Sequence, residues 1–110
     1  MSSQLLLGVV SDVPSGTARQ FEVDGDLIVV VNTPEGLFAM EDRCSHSDVA
    51  LSEGEVDGCF IECWLHGSGF DVRTGIPTSL PAITAVKTYP VTTDITDPNS
   101  PIFITKGTTQ

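Results

Sequence analysis

Short apolar stretches separated by turn-forming residues recur along the chain, and this pattern predicts β-strands rather than helices. The longest of these stretches, residues 27–31, is apolar at every position, and we expect it to form the central strand of a sheet. Asp24-Gly25 separates it from the alternating residues 20–23, which predicts a hairpin, because a tight turn needs the positive φ that glycine adopts without cost. Further strands are predicted over residues 4–10, 37–40, 70–72, 87–91 and 102–105.

A second Asp-Gly pair, Asp57-Gly58, lies within residues 54–62 and predicts another hairpin. Proline, glycine and β-branched residues interrupt every stretch long enough for an amphipathic helix, so at most one helical turn is expected, over residues 49–51. The pattern therefore predicts an all-β fold with a single domain over residues 1–110, built on a small antiparallel sandwich or barrel-like base.

The charge of the chain excludes several classes of partner. Fifteen acidic and five basic residues give a formal net charge of −10, which repels the phosphates of nucleic acids and anionic lipid surfaces. No stretch approaches the roughly 18 apolar residues of a membrane-spanning helix. Neither a nucleic acid nor a membrane is therefore an expected partner. Acidity serves solubility in many proteins, and in an electron carrier it can also attract a basic partner.

Residues able to bind a metal gather into two short segments. Cys44 and His46 form the first pair and Cys63 and His66 the second, with the spacing C-x-H-x16-C-x2-H. Two cysteines and two histidines suit a Rieske-type [2Fe–2S] cluster, in which two histidines replace the cysteines on one iron. They also suit a structural zinc ion, but zinc sites of this composition usually pair cysteine with cysteine and histidine with histidine along the chain. The mixed pairs favour the iron–sulfur cluster, with zinc as the alternative.

Residues around these pairs extend the pattern. The sequence resembles the small Rieske-type ferredoxins of bacterial ring-hydroxylating dioxygenase systems at residues 44–46, 51–54, 63–71, 73–75, 77, 80–82 and 87–91. This resemblance implies one [2Fe–2S] cluster per chain, with Cys44, His46, Cys63 and His66 as its ligands. It also implies a Rieske-like fold, in which a cluster-binding subdomain at about residues 42–83 is inserted into the β base.

The function implied by the resemblance is one-electron transfer. The chain would take electrons from a flavin-dependent ferredoxin reductase and pass them to a terminal, aromatic-ring-hydroxylating oxygenase, docking transiently with each. It has no nicotinamide or flavin fingerprint and no histidine to spare for a mononuclear iron site, so we expect an electron-transfer component and not an enzyme. Two alternatives use the same cluster: a redox or iron–sulfur status sensor, and a Rieske subunit of a larger reductase complex.

The third cysteine bears on packing and on location. Alternation along a strand would place Cys59 on the same face as Ile61 and Cys63, and we expect a buried structural thiol. An unpaired cysteine argues against an oxidising compartment, and residues 1–10 lack the basic start and the cleavage site of a signal peptide. A cytoplasmic location is therefore expected.

Overall fold

Strands make up most of the regular structure in the computed structural model, which describes residues 2–23, 25–42, 50–63, 69–78 and 85–107. Among these residues the strands are β1 (Ser2–Val9), β2 (Ala18–Val23), β3 (Asp26–Thr33), β4 (Gly36–Glu41), β5 (Glu55–Asp57), β6 (Phe60–Glu62), β7 (Gly69–Asp71), β8 (Thr88–Tyr89), β9 (Val91–Thr92) and β10 (Pro101–Gly107). Two 3-10 turns, Val10–Asp12 and Leu51–Glu53, accompany them. No helix within the described ranges is long and apolar enough to cross a membrane.

The strands form three antiparallel sheets in the described part of the chain. The outer sheet has the order β1-β10-β9, the central sheet β2-β3-β4-β8 and the small sheet β5-β6-β7. β1 pairs with β10 from Ser2 opposite Gly107 to Val9 opposite Pro101, so the first and last strands lie side by side. The predicted all-β antiparallel fold is confirmed.

The central sheet has an apolar core on each face, which explains the uninterrupted apolar stretch in β3. Ile28 and Val30 pack in one cluster with residues of the outer sheet, whereas Val29 and Val31 pack in the other with residues of the small sheet. Successive side chains of a strand point to opposite faces, so a strand that is covered on both sides is apolar at every position. All four side chains are fully buried. The prediction of a central strand at residues 27–31 is confirmed.

Both predicted hairpins are present. In the first hairpin, Val23 of β2 is opposite Asp26 of β3, and Gly25 in the turn has a φ of 81°. In the second hairpin, Asp57 of β5 is opposite Phe60 of β6, and Gly58 in the turn between them has a φ of 60°. Asp57 is thus the last residue of its strand, and the second turn begins one residue later than the Asp-Gly pair had suggested.

The strand predicted over residues 87–91 is divided in two by Pro90. β8 pairs with β4 in the central sheet, and β9 pairs with β10 in the outer sheet. Proline has no backbone N–H to donate and a fixed φ, so it interrupts the ladder at this position. Its carbonyl oxygen accepts a hydrogen bond from the backbone N–H of Thr105 at 3.0 Å, in the outer sheet. Pro90 is therefore the point at which the chain leaves one sheet for the other.

Candidate metal centre

Of the four predicted ligands, Cys63 lies in the described part of the structure. It directly follows β6, its side chain is fully buried, and its thiol is free. Cys44, His46 and His66 lie outside the described residues. The structure therefore gives the surroundings of one predicted ligand and of the residues that flank the others.

Strand geometry points Cys63 into the core beneath the small sheet. Cys59, Ile61 and Cys63 are buried, whereas Phe60 and Glu62 between them are exposed. All three buried residues belong to the core cluster that the small sheet shares with the central sheet. The predicted shared face is confirmed, and Cys59 is buried as expected, although it lies in the turn before β6 rather than in the strand itself.

Backbone pairing joins the residues that flank the second ligand pair. Glu62, directly before Cys63, pairs with Gly69 across β6 and β7. The carbonyl oxygen of Gly69 accepts a hydrogen bond from the backbone N–H of Thr78 at 2.7 Å. Cys63, Gly69 and Thr78 therefore lie at one end of the small sheet, at the boundaries of residues 64–68 and 79–84.

A close backbone contact brings the first segment to the same place. The 3-10 turn Leu51–Glu53 leads into Gly54, whose backbone N–H donates to the Leu51 carbonyl oxygen at 2.9 Å. A Cβ atom at Gly54 would overlap the carbonyl oxygen of Glu62. Glycine is therefore needed where the chain, returning from the first ligand segment, meets the strand that ends at Glu62, directly before Cys63.

A buried carboxylate holds the two sides of the first ligand segment together. Asp42 is only 3% exposed. Its Oδ1 accepts a hydrogen bond from the Ser52 backbone N–H at 2.7 Å, and its Oδ2 accepts one from the Ser52 hydroxyl at 2.6 Å. The side-chain amide of Gln20, in β2, donates to the same Oδ2 at 2.7 Å. We call Gln20, Asp42 and Ser52 the carboxylate clasp, and it fixes the boundaries of residues 43–49 to the central sheet.

The carboxylate clasp has no signature in the sequence. Gln20 is 22 residues before Asp42, and Ser52 is 10 residues after it. The available signal was an aspartate between a strand and a ligand pair, with a serine at the start of the returning chain. Neither feature indicates that the two side chains meet.

Arg73 ties the small sheet to the central sheet. Its guanidinium makes two hydrogen bonds to Asp71, at 3.0 Å and 2.9 Å, and a third at 3.1 Å to Glu35 in the turn between β3 and β4. The side-chain hydrogen bond from Arg73 lowers the pKa of Asp71 below its ordinary value, and that bond raises the pKa of Arg73. Because the aspartate pKa is lowered in the folded state, this pair stabilises the fold above the ordinary pKa, and the contribution is lost as the pH falls through the lowered value.

The described residues fit an iron–sulfur ligand at Cys63. A thiol in an apolar core, free of a disulfide, can supply the thiolate that such a cluster requires. Within the described ranges, no group of three or more His, Cys, Asp or Glu side chains could hold a metal ion. This is expected, since three of the four predicted ligands lie outside those ranges.

Comparison with known proteins identifies the family. Residues 3–90 match the Rieske [2Fe-2S] domain. The chain is 42% identical over 90 residues to a protein of Photorhabdus laumondii named 3-phenylpropionate/cinnamic acid dioxygenase ferredoxin subunit, covering 81% of this chain and 85% of that protein.

Solved structures agree with this match. The ferredoxin of carbazole 1,9a-dioxygenase from Nocardioides aromaticivorans superimposes with a TM-score of 0.84 at 33% identity, covering 93% of this chain and 96% of that one. A ferredoxin in a complex with reduced oxygenase, also of carbazole 1,9a-dioxygenase, gives 0.81 at 31% identity, covering 92% and 91%. The match supports an iron–sulfur cluster over the zinc alternative. The chain therefore belongs to the Rieske [2Fe-2S] domain family, as a Rieske-type ferredoxin.

Proposed function

We propose that this ferredoxin carries single electrons from a flavin-dependent reductase to a terminal, aromatic-ring-hydroxylating oxygenase. The observation that carries the proposal is the 42% identity to a protein named as the ferredoxin subunit of such a dioxygenase. The related ferredoxin that is described in a complex with its oxygenase supports the second partner. The chain is then an electron-transfer component and leaves the oxidation chemistry to the oxygenase.

We propose Cys44, His46, Cys63 and His66 as the ligands of one [2Fe–2S] cluster per chain. The cluster, when bound, supplies a one-electron redox centre. The buried thiol of Cys63 supports this assignment, because an apolar core favours a thiolate that is bound to iron over one that is free. Residues 42–83 would form the cluster-binding subdomain, and the small sheet and the carboxylate clasp would hold its ligand segments against the central sheet.

The residues around Cys63 would keep water from the thiolate side of the centre. Ile61, Phe70 and Val72 are at most 1% exposed and share one core cluster with Cys63. A dry environment strengthens electrostatic interactions and fixes the thiolate, so little reorganisation is needed when an electron arrives. The free thiols of Cys59 and Cys63 suit the reducing conditions of the cytoplasm, where we place the exchange.

A reconstituted electron-transfer chain tests this function. NADH, a flavin-dependent ferredoxin reductase, a Rieske-type ring-hydroxylating oxygenase and the aromatic substrate of that oxygenase are combined in air with substoichiometric amounts of the purified protein. We expect the reductase to reduce the protein, and product formation to require it and to show many turnovers per molecule. Reduction without any product, or lasting association with one component, would instead favour the sensor or the subunit of a larger reductase.

A further inference from the structure

The outward-facing side of the small sheet differs in composition from its buried side. Directly opposite residues on antiparallel strands point to the same face. Glu55 is opposite Glu62, Asp57 is opposite Phe60, and Phe60 is opposite Asp71. On the other side of β7, Phe70 forms an antiparallel bridge with Pro77. Ile76 is therefore beside Asp71, whose backbone N–H donates to the Ile76 carbonyl oxygen at 3.0 Å. We call the surface of these outward-facing residues the outer face: Glu55, Asp57, Phe60, Glu62, Asp71 and Ile76.

Two large apolar side chains are exposed on the outer face. Phe60 is 41% and Ile76 is 55% exposed. They flank Asp71 on neighbouring positions of the sheet, and the guanidinium of Arg73 lies 5.9 Å from the centre of the Phe60 ring. An exposed aromatic and an exposed aliphatic side chain surrounded by charged residues are typical of a small protein-binding surface.

The outer face also retains a repulsive contact. Glu55 and Glu62 are both exposed and directly opposite, and like charges in that arrangement destabilise a sheet. Among the described basic side chains, Arg73 binds Asp71 and Glu35, while Arg19 and Lys87 lie over Phe21 and Tyr89. None of these forms an ion pair with Glu55 or Glu62. A contact that costs stability and that none of the described basic side chains offsets is typical of a functional surface.

The position of Glu55 and Glu62 connects the outer face to the metal centre. Glu62 immediately precedes Cys63, and Glu55 is opposite Glu62 at the same end of the small sheet. A protein bound to this end of the outer face would therefore lie one residue along the chain from the predicted thiolate ligand, whose side chain points to the buried face. Electron transfer requires such proximity, so this end of the sheet suits a redox partner.

We propose that the outer face is a docking surface for a redox protein that carries lysine and arginine side chains around a small apolar patch. The redox nature of this partner rests on the proposed function. Its charge is inferred from complementarity with Glu55, Asp57 and Glu62 in a chain of net charge −10. Phe60 and Ile76 would provide the apolar contact, and the limited area suits the short-lived complexes of electron carriers, which bury less than about 1,200 Å².

Oxidised cytochrome c, a small basic haem protein, serves as the probe. Its association with the oxidised ferredoxin is measured by calorimetry at low ionic strength, so the result does not depend on electron transfer. We compare Glu62→Gln and the double variant Glu55→Gln/Glu62→Gln with Glu22→Gln, which removes one exposed carboxylate from β2 in the central sheet. Glu22→Gln and Glu62→Gln leave the same net charge.

The double variant is expected to weaken association about tenfold, and Glu62→Gln alone several-fold, whereas Glu22→Gln changes it less than about twofold. The double variant should also melt at a temperature no lower than the parent, because it removes the repulsion. Equal effects of Glu62→Gln and Glu22→Gln would overturn the docking surface and leave the acidity as a property of the whole molecule. That result would not touch the proposed function, which is tested separately by product formation in the reconstituted electron-transfer chain.

Discussion

Cys63→Ser is expected to remove iron and visible colour from the purified protein, whereas Cys59→Ser should leave both in place. The two thiols are alike in most respects, since both are free, buried and part of one core cluster. They differ in position, because Cys59 precedes β6 and Cys63 follows it. The three residues of β6 between them span roughly 10 Å, too far for both thiols to serve as ligands of one iron atom.

Iron content and visible absorbance of the two variants, purified in parallel, measure this difference. The substitution is the same in both, so a loss confined to Cys63→Ser reports ligation and not the insertion of a hydroxyl group into the core. Circular dichroism checks that the strands persist in both variants. Retention of iron by Cys63→Ser together with its loss from Cys59→Ser would reverse the ligand assignment.

Asp42→Ala is expected to produce the second large effect, a loss of about 2 kcal/mol in the free energy of unfolding. Removal of the carboxylate leaves the hydroxyl and backbone N–H of half-buried Ser52, and the amide of exposed Gln20, without their acceptor. A donor left unsatisfied away from water costs on the order of 1–3 kcal/mol, whereas the Gln20 amide can turn to solvent, and whole domains of this kind are stable by only about 5–15 kcal/mol.

Urea unfolding of Asp42→Ala is compared with that of Glu41→Ala, its exposed neighbour at the end of β4. The loss of an exposed carboxylate usually changes stability by less than about 0.5 kcal/mol. Iron should also be released faster from Asp42→Ala, because the carboxylate clasp joins both sides of residues 43–49. Similar unfolding curves for the two variants would show that the clasp contributes little.

The sequence was most informative where a local pattern and the tertiary structure impose the same requirement. The apolar stretch 27–31 predicted a central strand, and the two core clusters on either side of β3 show why positions 28–31 are apolar, whereas Leu27 is 45% exposed. Gly25 and Gly58 marked hairpins because the positive φ of each turn is a local property. Alternation placed Cys59 and Cys63 on one buried face for the same reason.

Features that depend on distant parts of the chain could not be predicted. The pairing of β1 with β10 and the change of sheet at Pro90 depend on how complete sheets pack. The carboxylate clasp joins Gln20, Asp42 and Ser52, which no periodicity relates. The repulsion on the outer face depends on strand register, and a shift of one residue would have separated the two glutamates.

The iron and acid-labile sulfide content of the purified protein distinguishes a [2Fe–2S] cluster from a zinc ion. A [2Fe–2S] centre held by two cysteines and two histidines predicts about two iron and about two sulfide ions per chain, in a coloured protein. About one zinc ion per chain, with neither iron nor sulfide, would contradict the account and return the four ligands to a structural zinc site.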